Sequence, residues 1–598
     1  MKKSLPQRHE VPKEYTWRLE DIYPNDEAWE EEWKQIKAIL PKFDDFKGTL
    51  AQSAEQLFTA LTFRDDVFQR LSKLYIYAKM RHDEDVTNAF YQELNDRASQ
   101  LYSEALSRSS FYQPELLNIE RERIQDFLQN EKLHLYRHMF EKLNRQRPHV
   151  LSPKEEMLLA QASEVFSIPN NVYGVLNNAD LTFPTIRTHN GEEIEITHAR
   201  YIQLMESDDR QVRKDAFHAM YGTYEKFKNT FASVLAGAVK KNNFQAKIRH
   251  YSSARHAALS RNYIPEEVYD QLVDTVNDHL PLLHRYMRLK KEKLGLDQLH
   301  MYDIYAPLAK NIKYKVTYPE AQEILLEALK PLGDDYTKIL KKAFTERWID
   351  LYENKGKRSG AYSSGAYGTN PYILLNWQDD VNHLFTLAHE FGHSAHSYYS
   401  RQAQPFIYSN YTIFVAEVAS TCNEIILDHY LSQHEKDLQK QIYLLNHFLE
   451  GFRATVFRQT MFAEFEHLIH QKAQNGEALT AERLTQLYYE LNQKYFGPDV
   501  VVDPEIGLEW ARIPHFQLNF YVYQYATGYS AASSLAQQIL TEGKPAVDRY
   551  LTFLKAGDSD YSIELLKRAG VDMTKPDPIK DAFKIFERKL DRFEQLLS

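Results

Sequence analysis

His389-Glu390-Phe391-Gly392-His393 brings together the side chains in this sequence best suited to chemistry, and it is the chain's one His-Glu-x-x-His. On a helix, residues four apart share a face one turn apart. Two imidazoles can then close on one zinc ion while Glu390 stands beside the open coordination position. Such a set suits hydrolysis, because a metal lowers the pKa of a water and a carboxylate takes its proton as it attacks a carbonyl. A catalytic zinc needs a third protein ligand, and the candidates are His396, Glu417 and Glu424. On an unbroken helix His389 and His396 lie about 10.5 Å apart along the axis, too far for one ion, so His396 ranks behind the carboxylates and faces substrate or supports the ligands. Glu417 falls in the apolar helical run Tyr411–Ser420, where an acid needs a cation. Glu424 and Asp428 follow on the same face, at seven and eleven positions, able to orient the histidines. Cys422 is off that face and reads as a small buried side chain.

The elements that must position these residues are legible upstream. Gly356, Gly360, Gly365 and Gly368 place four of the chain's 20 glycines within 13 residues, so the backbone there turns sharply or admits a close approach. Pro371–Trp377 then reads as a strand, its proline favouring a sheet edge. A helix over 380–398 follows, opened by Asp379 and Asp380. Elsewhere, low glycine and proline (20 and 22 of 598 residues) and apolar residues at three-to-four spacing, as in Ala28–Leu40 and Asn88–Leu106, predict a mainly α protein. Pro265-Glu266-Glu267 reads as a helix start. The clearest exception is a hairpin, Leu181–Ile186 and Glu193–Thr197 around Asn190-Gly191. It predicts a lobe boundary, with an N-terminal helical lobe over 1–197 and a catalytic lobe over 198–598.

Composition narrows the function. Hydrophobic residues at 43 % and charged residues at 26 % describe a folded globular protein. A net charge of −10 gives no basic field for nucleic acid. No apolar stretch reaches the roughly 20 residues of a membrane span, and the polar start is no apolar signal segment, so a cytoplasmic protein without membrane partners is expected. The single cysteine excludes an intrachain disulfide and a cysteine-based zinc site, leaving histidine and carboxylate for any metal.

Three further segments are distinctive: Tyr15-Thr16-Trp17-Arg18-Leu19-Glu20-Asp21-Ile22-Tyr23, Ser253-Ala254-Arg255-His256-Ala257-Ala258-Leu259 and Gly356-Lys357-Arg358-Ser359-Gly360-Ala361-Tyr362. With the zinc motif and the glutamate after it, the chain resembles the thimet oligopeptidase and neurolysin family of zinc metallopeptidases, and more narrowly the oligoendopeptidase F group, over nearly its whole length. The resemblance implies a neurolysin-like helical zincin of two lobes that both draw on the central part of the chain, with a deep central channel and a small β-sheet beside the active-site helix. It implies one zinc ion per chain held by His389, His393 and Glu417, with His396 as the alternative third ligand and Glu390 as general base. It also implies hydrogen bonds to the oxyanion from His515 and Tyr529, with Tyr521 and Tyr525 as alternatives. Most of the aromatic stretch 514–529 that carries them otherwise reads as core.

The expected activity is therefore cleavage of short unstructured oligopeptides by a zinc endopeptidase. The peptide would add as an extra strand along Tyr372–Asn376, near Gly360, with loose side-chain specificity. A carboxydipeptidase of the same fold would need a cation for the free carboxylate, for which Arg358 or Arg512 could serve. An inactive peptide-binding homologue is the alternative outside enzymes.

Overall fold

A computed structural model describes residues 4–309, 312 and 314–598. The described residues are mainly helical, as expected, with strands of two or three residues in three small sheets. Helix starts follow local chemistry: the side chains of Asn25, Ser53 and Asn88 accept backbone N–H groups in the first turns of Asp26–Ile39, Ala54–Glu84 and Ala89–Ser109. Pro265 precedes the helix Glu266–Asp278.

The chain forms two compact units. One comprises Met1–Val150, Tyr314–Leu427 and Leu535–Gly570; the other comprises Leu151–Lys313, Asp428–Ser534 and Val571–Ser598. A single boundary near 197 is thus not where the chain divides. The hairpin forms, as Thr185–Arg187 with Glu193–Glu195. It packs on the 39-residue helix Arg210–Ile248 and belongs inside the second unit.

In the first unit a three-stranded sheet borders the helix Val381–Ala403, hereafter the site helix. Tyr372–Leu374 is its central strand, parallel to Ile349–Asp350 and antiparallel to Tyr362–Ser364. This corrects the expectation of an edge at Tyr372–Asn376. Pro371 precedes the first paired residue, so its missing N–H costs no ladder bond. Tyr372 is fully buried and its hydroxyl donates to the Arg18 carbonyl at 3.1 Å.

The other side of Ile349–Asp350 is covered by the N-terminal segment. Leu351 N–H donates to the Tyr15 carbonyl and Arg18 N–H to the Arg347 carbonyl, at 2.9 and 2.8 Å. Beneath them lies a buried ion cluster: Asp350 pairs with Arg8 and with Lys357 (2.7 Å), and Trp17 Nε1 donates to Glu84 at 2.5 Å. Lys357 thereby pins the start of the glycine-rich segment, and Asn376 Nδ2 donates to the Arg358 and Gly360 carbonyls at 3.0 and 2.9 Å. Tyr362–Ser364 is left as the edge strand beside the site helix.

Candidate metal centre

The site helix begins where Asp380 accepts the His383 N–H at 2.9 Å, fixing the register that carries His389, Glu390 and His393. The helix Ile413–His434 brings in Glu417. Gly392 explains how close the two helices come: a Cβ there would lie 2.5 Å from Ser420 Cα and 2.6 Å from the Ala419 carbonyl oxygen. Asn423, fully buried, locks the contact by donating to the Ala388 carbonyl at 3.1 Å and accepting the Tyr336 hydroxyl at 2.8 Å.

Three ligand atoms converge as a result. His389 Nε2 and His393 Nε2 are 3.2 Å apart, and Glu417 Oε2 lies 3.2 and 3.4 Å from them. Donors held tetrahedrally at about 2.0–2.1 Å from zinc stand roughly 3.3–3.4 Å from one another, so the triangle has the size of one face of a zinc site. Two imidazole nitrogens and one carboxylate oxygen form a donor set that suits zinc, with a coordination position left over. These residues fit the metal.

Supporting contacts fix each ligand. Glu424 accepts the Nδ1–H of His389, leaving the Nε2 lone pair for the ion. Ser420 Oγ donates to Glu417 Oε2 at 3.1 Å. Desolvation opposes charge on His389, yet the hydrogen bonds that Glu417 and Glu424 accept from it raise its pKa to about 10. Burial pushes the Glu417 carboxyl up, but both histidines pull it well below the usual range. The site is thus electrostatically prepared for a cation. Glu390, 8 % exposed, is raised by burial, an effect countered by His389, His393 and the N–H of Ser363, which it accepts from the edge strand.

The remaining candidates occupy other places. His396 is not with the three ligand atoms: it is buried, stacked on Tyr411 at 3.7 Å, and held down to about 3 by burial and then by His393. Seven positions past His389, it stands about 10.5 Å further along the helix axis, too far to share one ion with it. Asp428 pairs with Lys589 rather than a site histidine. Gly360 lies exposed in the turn that Asn376 holds. Cys422 is buried, its thiol pushed up to about 12 by desolvation. In the second unit, His515, Tyr521 and Tyr525 form one cluster. Tyr525 Oη lies 3.4 Å from His515 Nε2, and the Tyr521 ring is parallel to the imidazole at 5.9 Å. Tyr529 instead packs edge-on against Phe452 at 5.4 Å. Ser363, Ser420 and Asn423 went unnoticed in sequence; Asn423 left a signal, an amide in an apolar helical run.

A family model described as peptidase family M3 matches residues 203–585, and one described as oligopeptidase F matches residues 115–183. The chain belongs to peptidase family M3. Among M3-type relatives, it is 60 % identical to oligopeptidase PepF of Bacillus subtilis over 99 % of this chain and 89 % of that one. It is 48 % identical to the group B oligopeptidase PepB of Streptococcus agalactiae over 99 % and 98 %. A crystal structure of oligoendopeptidase-F from Enterococcus faecium matches with a TM-score of 0.75 and 45 % identity, covering 96 % of this chain and 99 % of that one. Membership in M3, a metallopeptidase family, makes the chain a peptidase whose substrates are peptides.

Proposed function

We propose that the chain is a cytoplasmic zinc endopeptidase that cuts short unstructured oligopeptides, with one ion per chain held by His389, His393 and Glu417. The observation that carries this reading is the juxtaposition of the ligand triangle with Glu390, whose carboxylate accepts the Ser363 N–H of the edge strand. When bound, zinc supplies Lewis acidity, which lowers the pKa of a water and polarises a carbonyl. Glu390 takes the attacking water's proton on its carboxylate and delivers it to the departing amine. The peptide extends the sheet along Tyr362–Ser364, so main-chain bonds hold it and its side chains are read loosely. His515 with Tyr529, Tyr525 or Tyr521 remains the proposed oxyanion donor set, each donor worth about 3 kcal/mol. Among the described residues no helix is long and apolar enough to cross a membrane, which is compatible with a cytoplasmic site of action.

The cations considered for a carboxydipeptidase both have acidic partners, Arg358 with Asp83 at 3.4 Å and Arg512 with Glu509 at 2.9 Å. The endopeptidase reading is therefore preferred. The test is an internally quenched peptide blocked at both ends, given to wild type, to Glu390→Gln, and to wild type stripped by a chelator and refilled with zinc. Turnover by wild type, lost on stripping, restored by zinc, and reduced at least about 100-fold in Glu390→Gln is expected. Trimming of only a free-ended peptide would favour the carboxydipeptidase. Binding without cleavage of either would leave a peptide-binding homologue.

A further inference from the structure

Arg401 lies in the last turn of the site helix. Its Nη1 is buried without a hydrogen-bond partner, and among the described residues no carboxylate pairs with the guanidinium. A largely desolvated cation without a counter-charge is costly, so its persistence calls for a ligand or a structural reason. The helix C-terminus offers part of one, since cations are favoured there. That does not account for what Arg401 faces.

It lines a cavity of about 490 Å³ within the first unit, walled by Tyr75, Ile76, Tyr102, Tyr367 and Phe406. The size suits a peptide side chain with part of its backbone. Two ring pairs make the walls, Tyr75 with Tyr102 at 6.1 Å and Tyr367 edge-on to Phe406 at 5.8 Å. Arg401 is the one charged residue of the lining. Four serines, Ser72, Ser99, Ser103 and Ser409, and Asn410 complete the lining, so the cavity joins ring walls and neutral polar groups to one unpaired guanidinium. That combination selects a carboxylate, which accepts a bidentate pair of charge-assisted bonds.

The cavity continues the edge strand. Its lining includes Gly365, Ala366 and Tyr367, which directly follow Tyr362–Ser364. Gly365 lets the guanidinium lie against the strand end: a Cβ there would be 2.7 Å from Arg401 Nη1 and 2.8 Å from the Asn370 carbonyl oxygen. Arg401 is eight residues beyond His393, about 12 Å along the helix. An extended peptide advances about 3.4 Å per residue, so the cavity is reached three or four residues from the bond at the metal.

We propose that this cavity is a specificity pocket for a carboxylate of the substrate, three or four residues from the cleaved bond, with Arg401 as counter-ion. The proposal rests on the endopeptidase reading and on a substrate paired with the edge strand. Antiparallel pairing, the stronger ladder, runs the peptide opposite to Tyr362–Ser364 and sets residues N-terminal to the cut at the cavity. The carboxylate is then an aspartate or glutamate side chain; parallel pairing would instead offer a free C-terminus.

The test is a set of blocked peptides with one Gln replaced by Glu at each of five positions on either side of a fixed scissile bond. A matched pair with free or amidated C-terminus is added. Wild type is expected to show kcat/KM about 10-fold higher for Glu than Gln at the third or fourth position before the cut, and at neither end of the scan. In Arg401→Gln the ratio falls to about 1, and in Arg401→Lys it is partly kept. A preference for the free C-terminus that Arg401→Gln abolishes would also support the pocket, with the strand direction reversed. Equal rates for Glu and Gln throughout, with no response to the C-terminus, overturn it from wild type alone, even if a variant fails to fold. So does a preference that survives in Arg401→Gln. Fluorescence anisotropy of the same peptides, labelled, on Glu390→Gln reads the preference as Kd, so a failure of catalysis is distinguished from a failure of the pocket.

Discussion

Glu424 touches no reacting atom, yet it decides which nitrogen of His389 is free. By accepting the Nδ1–H it fixes the tautomer and the ring plane. Glu424→Gln keeps the shape but removes the charge that supports the imidazole. The expected outcome is a 10–100-fold loss of zinc affinity, measured by competition with a chromophoric chelator, with the melting temperature of the metal-free protein little changed. An unaltered affinity would show that Glu417 and the two histidines hold the ion unaided. At this scale the sequence was informative where chemistry is local: His389, Glu390 and His393 are set by helical spacing, and that spacing also disfavours His396. Glu417 stood out because an acid in an apolar run needs a partner. Arg401 and Ser363 left no comparable mark, since their significance lies in a cavity and a strand edge assembled from distant segments.

Between elements, the closest constraint is Gly392. With Ser420 Cα only 2.5 Å from where a Cβ would stand, Gly392→Ala must push the helix Ile413–His434 away from the site helix, and the neighbour is backbone that cannot rotate aside. The cost of such overpacking is about 1–3 kcal/mol, and the displacement carries Glu417 out of the ligand triangle. Gly392→Ala is expected to melt lower in denaturant and to bind zinc more weakly than wild type; a stable variant with normal zinc affinity would mean that the helices separate without moving Glu417. Helices were legible because long periodic runs and caps such as Asn88 and Asp380 mark them. The sheet was harder. Strands of two or three residues carry too little alternation to reveal order, and Pro371 suggests an edge although it only precedes the central strand. Which strand lies open is decided by the N-terminal segment covering the opposite side, some 330 residues away in sequence.

For the whole chain, the division into units escaped a linear reading because each unit is assembled from three separate segments, while the hairpin near 197 marks only a local turn. Burial at this scale also produces groups whose titration is felt as stability. Glu466, in the second unit, is fully buried, and its carboxyl is pushed up to about 8 by desolvation, with only the Phe520 N–H, donated at 2.6 Å, acting against it. Its Oε2 has no partner. His470, one turn on, is held down to about 4 by the same burial and supplies no positive charge near neutrality. In the unfolded chain the Glu466 carboxyl titrates near 4.5. Below that value both states are protonated and folding is unaffected. Between about 4.5 and 8 the unfolded state gives up its proton while the folded state keeps it, so the native state binds more protons and stability falls as pH rises. Above about 8 both are ionised and the loss is complete, roughly 3–5 kcal/mol for a gap of that width. Glu466→Gln has no proton to lose and still accepts the Phe520 N–H. Denaturant unfolding at pH 5 should therefore find the two proteins similar, and at pH 8.5 the variant more stable. Parallel profiles across that range would mean that Glu466 is ionised in the fold, compensated by water or a cation.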